Sequence, residues 1–234
     1  MYSSIRRKWE KILKYKRDGV LLTQICDAIK GRTIYRVSGI LMRLRGKVQE
    51  QYEKKRGLDF SAPLPGMYAA EGERRDYWPS EKKYVQRALA ELDFHNKLNF
   101  LDVGCGKGYV LYLAAAYPFA RIAGIEYSED VFSILKRNMA QLRRTDIALF
   151  NADARDFDAY GEYDVIYFFN PFGEKIMSDV IESILNQMRK EKEYTIIYYN
   201  PVCADLILQT GIFKLVRDLP IARGCKIHIY RGKR

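Results

Sequence analysis

The chain has only two histidines and four cysteines among its 234 residues. The cysteines, Cys26, Cys105, Cys203 and Cys225, stand far apart with no CxxC spacing. That scarcity argues against a disulfide framework and against a zinc cluster, so no metal site is expected. Scattered thiols of this kind fit a reducing compartment. No apolar run approaches the ~20 residues that a membrane span needs. Near the N-terminus the longest is Val20-Leu21-Leu22, too short for a signal-peptide core. A cytoplasmic location is therefore expected. Internal repeats and low-complexity tracts are also missing. The length leaves room for one full α/β domain and a small extension, not for two large domains.

Positive charge is abundant, and it is concentrated. The formal net charge is +11. Residues 1–56 hold 16 Lys/Arg against 5 Asp/Glu, while the rest of the chain holds 24 of each. The basicity belongs to an N-terminal extension. Its pattern is helical: Ile5, Trp9, Ile12 and Leu13 form one stripe, broken at Asp18-Gly19. A short helix from Val20 to Lys30 stops at Gly31, and a longer one carries Ile34, Val37, Leu41, Leu44 and Val48. Arg36, Arg43, Lys47 and Lys54 share another face of it. Three readings stand for this extension: a layer with a solvated basic face, a surface for RNA or another polyanion, or a dimerisation helix.

Residues 57–79 form the expected linker or lid, with Pro63, Pro65 and Pro79 alongside Gly57, Gly66 and Gly72. Beyond it, short apolar strands alternate with amphipathic helices, the pattern of a parallel sheet covered on both faces. Residues 80–234 thus make the main domain. The spacing predicts a leading helix over Ser80–Asp93, then strands at Asn99–Val103, Arg121–Glu126, Ile147–Asn151, Tyr163–Phe169 and Tyr194–Tyr199. Helices are expected at Gly108–Ala116, Ser128–Leu142 and along Ile176, Val180, Ile184 and Met188. A closing pair of strands is expected at Phe213–Leu219 and Lys226–Tyr230.

Four segments carry chemistry. In Asp102-Val103-Gly104-Cys105-Gly106-Lys107-Gly108 a buried strand runs into a helix through glycines, which let the backbone turn sharply and approach a ligand. A dinucleotide G-x-G-x-x-G would need a third glycine at Tyr109. An acidic Asp102 also suits an amino group better than a pyrophosphate. Glu126 ends the next strand, where a carboxylate can accept both hydroxyl hydrogens of a ribose. In Asn151-Ala152-Asp153-Ala154, Asp153 can accept from an adenine amine while the Ala154 backbone reads the ring edge; its plainer role is to cap the loop. Asn170-Pro171-Phe172 follows a very apolar strand at the crevice edge. There Asn170 can orient an acceptor amine and Phe172 can wall the site, or the three residues form a turn from which Pro171 starts the next helix.

In order and spacing these segments resemble the class I methyltransferases that use S-adenosylmethionine (SAM). The resemblance implies a Rossmann-like sheet of seven strands, mostly parallel with the last antiparallel, and SAM as cofactor with S-adenosylhomocysteine as product. It assigns Asp102, Gly104, Cys105, Gly106 and Gly108 to the cofactor loop, Glu126 to the ribose, and Asp153 with Ala154 to the adenine. The segments Gly57-Leu58-Asp59, Tyr77-Trp78-Pro79-Ser80 and Tyr167-Phe168-Phe169-Asn170-Pro171-Phe172 are similar to those of a bacterial group with an NPF motif. Asn170-Pro171-Phe172 also resembles the N-P-P-Tyr/Phe motif of amino-methyltransferases, lacking the second proline. Nitrogen is the implied acceptor. Two other classes stay open on sequence: a non-catalytic SAM-pocket protein that binds nucleic acid, and a nicotinamide oxidoreductase.

Overall fold

Five apolar strands, β1 (Asn99–Val103), β2 (Arg121–Glu126), β3 (Ile147–Asn151), β4 (Val165–Phe169) and β5 (Glu193–Tyr199), run parallel through the centre of the molecule. The computed structural model describes residues 48–62, 64, 73–74 and 79–234. The helices expected before residue 48 and the Tyr77-Trp78 pair lie outside the described residues. The chain divides into two compact units, Met1–Gln51 and Tyr52–Arg234, and the second contains the whole sheet.

The sheet has seven strands in the order β3-β2-β1-β4-β5-β7-β6. The last two are β6 (Phe213–Pro220) and β7 (Lys226–Lys233), and β7 lies antiparallel to both of its neighbours. Strands this apolar are stable only when both faces are covered. Leu101, Val103, Ile166 and Phe168 face one core, and Phe100, Val165 and Tyr167 face the other.

The covering helices bury the residues that their periodicity marks. They are α1 (Lys82–Leu89), α2 (Tyr109–Ala114), α3 (Glu129–Gln141), α4 (Glu174–Gln187) and α5 (Ala204–Gln209). In α3 the Ser128 hydroxyl accepts from the Val131 N–H at 3.3 Å, and Glu129 and Asp130 complement the helix dipole. In α4, Ile176, Val180 and Ile184 are buried as their spacing predicts. Met188, the fourth of that stripe, is buried just past the helix end.

Three strands have the predicted limits, and several other elements differ. Gly108, expected inside α2, sits at φ +87° and caps the helix instead. The α1 helix stops at Leu89 and passes into tighter turns, with Glu91 N–H bonded to the Ala88 carbonyl. The β4 strand starts two residues late, after a 3-10 turn at Tyr160–Glu162. There the Asp164 carboxylate takes the Asn99 N–H at 2.7 Å. The β7 strand runs on to Lys233 because it pairs with the whole of β5. No helix among the described residues is long and apolar enough to cross a membrane.

Candidate functional site

Strand order reverses between β2 and β4 on either side of β1, and in open α/β sheets ligands bind at the carboxyl edge beside such a point. A cleft of about 860 Å³, open to solvent, lies there. Its walls include Asp102, Gly104, Cys105, Gly106, Glu126, Asp153, Ala154, Pro171 and Phe172. Four separate segments of the sequence therefore meet around one space.

The glycine loop owes its path to backbone freedom. Gly104, Gly106 and Gly108 have φ of +74°, +54° and +87°, a region that side chains rarely tolerate. A Cβ on Gly104 would lie 2.7 Å from the Pro171 Cβ, so the loop touches the turn after β4. Glu126 fixes the loop from the next strand. Its Oε2 accepts from the Gly106 N–H and its Oε1 from the Ser128 N–H, each at 2.9 Å. Cys105 is buried beneath, close enough that a Cβ on Gly124 would stand 2.7 Å from its sulfur.

Asp102 is 2% exposed, and its Oδ2 has no hydrogen-bond partner among the described residues. Burial, then the nearby Glu126 charge, push its carboxyl well above the usual carboxylate range. Burial and the same two carboxyls also push the Cys105 thiol up, so it is no activated nucleophile.

At the β3 end, the Tyr160 hydroxyl donates to the Ala154 carbonyl at 2.7 Å and steadies the loop. Asp153 pairs with Arg74 at 2.5 Å and with Arg155 at 2.9 Å. Burial pushes the Asp153 carboxyl up, but hydrogen bonds and charge from Arg155, then Arg74, outweigh it and hold it low. The Arg74 guanidinium also lies 3.6 Å over the Tyr127 ring.

At the β4 end, Asn170 takes φ +40°, a left-handed conformation uncommon outside glycine. Its side-chain oxygen lies 3.5 Å from the Tyr198 hydroxyl, which donates to it. Pro171 does not open a helix, since α4 begins at Glu174 with Gly173 as its cap. Phe172 is 7% exposed, lines the cleft and pairs through its backbone with Arg74. Beside it, the Glu73 carboxylate accepts from the Lys175 N–H at 3.2 Å in the first turn of α4. Asn200, in the turn after β5, repeats the left-handed backbone at φ +52°.

Several cleft residues were given no ligand-binding role by sequence: Arg74, Ser80, Tyr109, Tyr127 and Tyr167. Tyr127 follows Glu126 directly and was within reach of motif reasoning. Tyr167 sits inside an apolar run, where nothing separates it from core. Neither histidine lines the cleft: His95 pairs with Asp93, and His228 contacts the Tyr230 hydroxyl at 2.8 Å. Among the described residues no trio of His, Cys, Asp or Glu is placed to hold a metal ion.

Residues 94–222 match the family model described as "Methyltransferase domain". No curated protein matches the chain in sequence. Among solved structures, the ribosomal protein L11 methylase of Lactobacillus delbrueckii subsp. bulgaricus is 18% identical, with a TM-score of 0.54 over 66% of this chain and 81% of that one. The PH0226 protein of Pyrococcus horikoshii OT3 is 13% identical, with a TM-score of 0.55 over 76% and 95%. A mutant form of MtNAS in complex with S-adenosylmethionine is 16% identical, with a TM-score of 0.53 over 65% and 61%. At such identities these likenesses are likenesses of fold.

Proposed function

The chain belongs to the methyltransferase domain family, and from that premise we propose that it moves a methyl group from SAM to a nitrogen acceptor. The observation that carries this reading is Asp102 Oδ2, buried at the mouth of a loop of three left-handed glycines with no hydrogen-bond partner among the described residues. The residues present fit the cofactor. Asp102 supplies an acceptor for its ammonium, Glu126 for the ribose hydroxyls, and Gly104, Cys105 and Gly106 allow close backbone approach, whereas Gly108 faces Leu135 and Met139 of α3 and does not line the cleft. Asp153 and Ala154 take the adenine edge, where Arg74 and Tyr127 flank them. A SAM-bound neighbour in the same fold supports the assignment.

When bound, SAM supplies a methyl group activated by its sulfonium. The chain's own task is positional, since in-line displacement depends on holding the reacting atoms about 3–3.5 Å apart. Asn170 orients the acceptor amine through its side-chain oxygen, Pro171 sets the turn against the glycine loop, and Phe172 excludes water from one wall. With SAM held by these residues, the methyl carbon would pass from the sulfonium sulfur to the acceptor's nitrogen lone pair, and the methylated amine would shed a proton to solvent. The turn Asn170-Pro171-Phe172 supports a nitrogen acceptor by its likeness to the amino-methyltransferase motif, and supports kinship with the bacterial NPF group.

Titration with S-adenosylhomocysteine tests the reading. The wild-type protein is expected to bind, and Asp102→Ala to lose at least about tenfold in affinity, as for a charge-assisted contact. No binding to the wild-type protein would overturn it. A second feature bears on the partner, namely the excess of 16 basic over 5 acidic residues in 1–56. That stretch suits RNA or another polyanion. Affinity for RNA should then fall linearly with the logarithm of salt concentration, with a shallower slope once residues 1–56 are removed.

A further inference from the structure

Among the described residues, two oxygens are buried without a hydrogen-bond partner at the same end of the cleft, Asp102 Oδ2 and the Tyr167 hydroxyl. The two residues stand directly opposite one another across β1 and β4. In parallel strands, opposed residues project from the same face of the sheet. Both line the cleft, Asp102 at 2% exposure and Tyr167 at 0%. Ser80, 8% exposed, brings a third oxygen to the same wall. Buried polar atoms in folded proteins are nearly always paired, so two neighbouring exceptions call for a ligand.

The chemistry of the pair is asymmetric. Burial, then the Asp102 charge, push the Tyr167 phenol up, and Ser80 pulls the other way without meeting hydrogen-bond geometry. Tyr167 therefore keeps its proton and offers a donor, as does the Ser80 hydroxyl. Asp102 offers an acceptor. A donor set beside a carboxylate complements a zwitterion, an α-ammonium next to an α-carboxylate. Strand order says which part of the cofactor lies here. Asp153 is at the end of β3, Glu126 at the end of β2, and Asp102 with Tyr167 on β1 and β4. Adenine, ribose and amino acid would follow one another along that edge.

We propose that Tyr167, with Ser80, holds the α-carboxylate of the methionyl part of SAM while Asp102 holds its α-ammonium. This rests on the reading of the cleft as a SAM site. The test compares two ligands on the full chain, S-adenosylhomocysteine and methylthioadenosine, which lacks the amino-acid end. In Tyr167→Phe, affinity for S-adenosylhomocysteine is expected to fall about tenfold, while methylthioadenosine binds as it does to wild type. Ser80→Ala should move affinity in the same direction. Thermal melting keeps the comparison sound, since Tyr167→Phe removes a buried, unpaired hydroxyl and should melt no lower than wild type. Unchanged affinity for S-adenosylhomocysteine, or equal losses for both ligands, would overturn the proposal. Failure of the wild-type protein to bind either ligand would instead sink the SAM reading, and it is seen before any variant is made.

Discussion

Buried beside Glu126, the Asp102 carboxyl keeps its proton far above the range in which a solvated aspartate loses it. The unfolded chain releases that proton near pH ~4, the folded one only through the raised value. Between those limits the folded state binds more protons, so the ligand-free protein loses stability as pH rises. Asp102→Asn should remove that slope and raise the melting temperature at neutral pH, while weakening S-adenosylhomocysteine binding. Parallel slopes for the variant and wild type in melts across pH would contradict this. Holding an ammonium also requires Asp102 to give up its proton. Ligand binding should then release protons, which calorimetry in buffers of different ionisation enthalpy detects. At this scale the sequence was partly legible. Asp102, Glu126 and the glycines are visible because strand-end carboxylates and left-handed turns demand those residue types. Tyr167 is invisible until β1 and β4 are known to be neighbours, and Arg74 lies 79 residues before the Asp153 it pairs with.

Strands β1, β2 and β3 begin and end where their apolar runs do, because charged or turn-forming residues bracket each of them. Elements defined by tertiary contact were harder to read. The α5 helix buries only Ile207, too little for a periodic signal, and β7 owes its length to its partner strand. The passage from β1 into α2 is fixed by Gly108. A Cβ there would stand 2.4 Å from Leu135 Cδ1 and 2.8 Å from Met139 Cε, in a backbone that already disfavours side chains. Left-handed strain of ~1–2 kcal/mol and overpacking of ~1–3 kcal/mol add in Gly108→Ala. Chemical denaturation should show a loss of about 2 kcal/mol or more, and a loss under about 0.5 kcal/mol would mean that α3 yields freely.

At the scale of the domain, residues 58–62 pack as part of the fold although they fall within 57–79, the stretch whose prolines and glycines read as linker or lid. Phe60 is 2% exposed and stacks on Tyr112 at 5.8 Å. The Glu53 carboxylate accepts from the Phe60 and Ser61 N–H groups and from the Ser61 hydroxyl. Asn138 donates to the carbonyls of both Asp59 and Lys107. Lys107, fully buried in the glycine loop, reaches Asp59 Oδ1 at 2.7 Å and the Ala62 carbonyl at 2.9 Å. Asp59→Ala is expected to cost roughly 3 kcal/mol by taking the Asp59 carboxylate from a buried ammonium, and adding Lys107→Met should recover much of it. Urea denaturation of the single and double variants reads both effects. Purely additive losses would mean that the two residues do not act as a pair.

The Lys107–Asp59 contact also bears on modularity. A methyltransferase core whose glycine loop projects a lysine into the segment before it is not a freely transferable part. Grafted into another protein without residues 53–62, it would arrive with the Lys107 ammonium deprived of the Asp59 carboxylate, in the glycine loop. Any lineage that shuffled this core would have had to carry the leader along or lose the lysine.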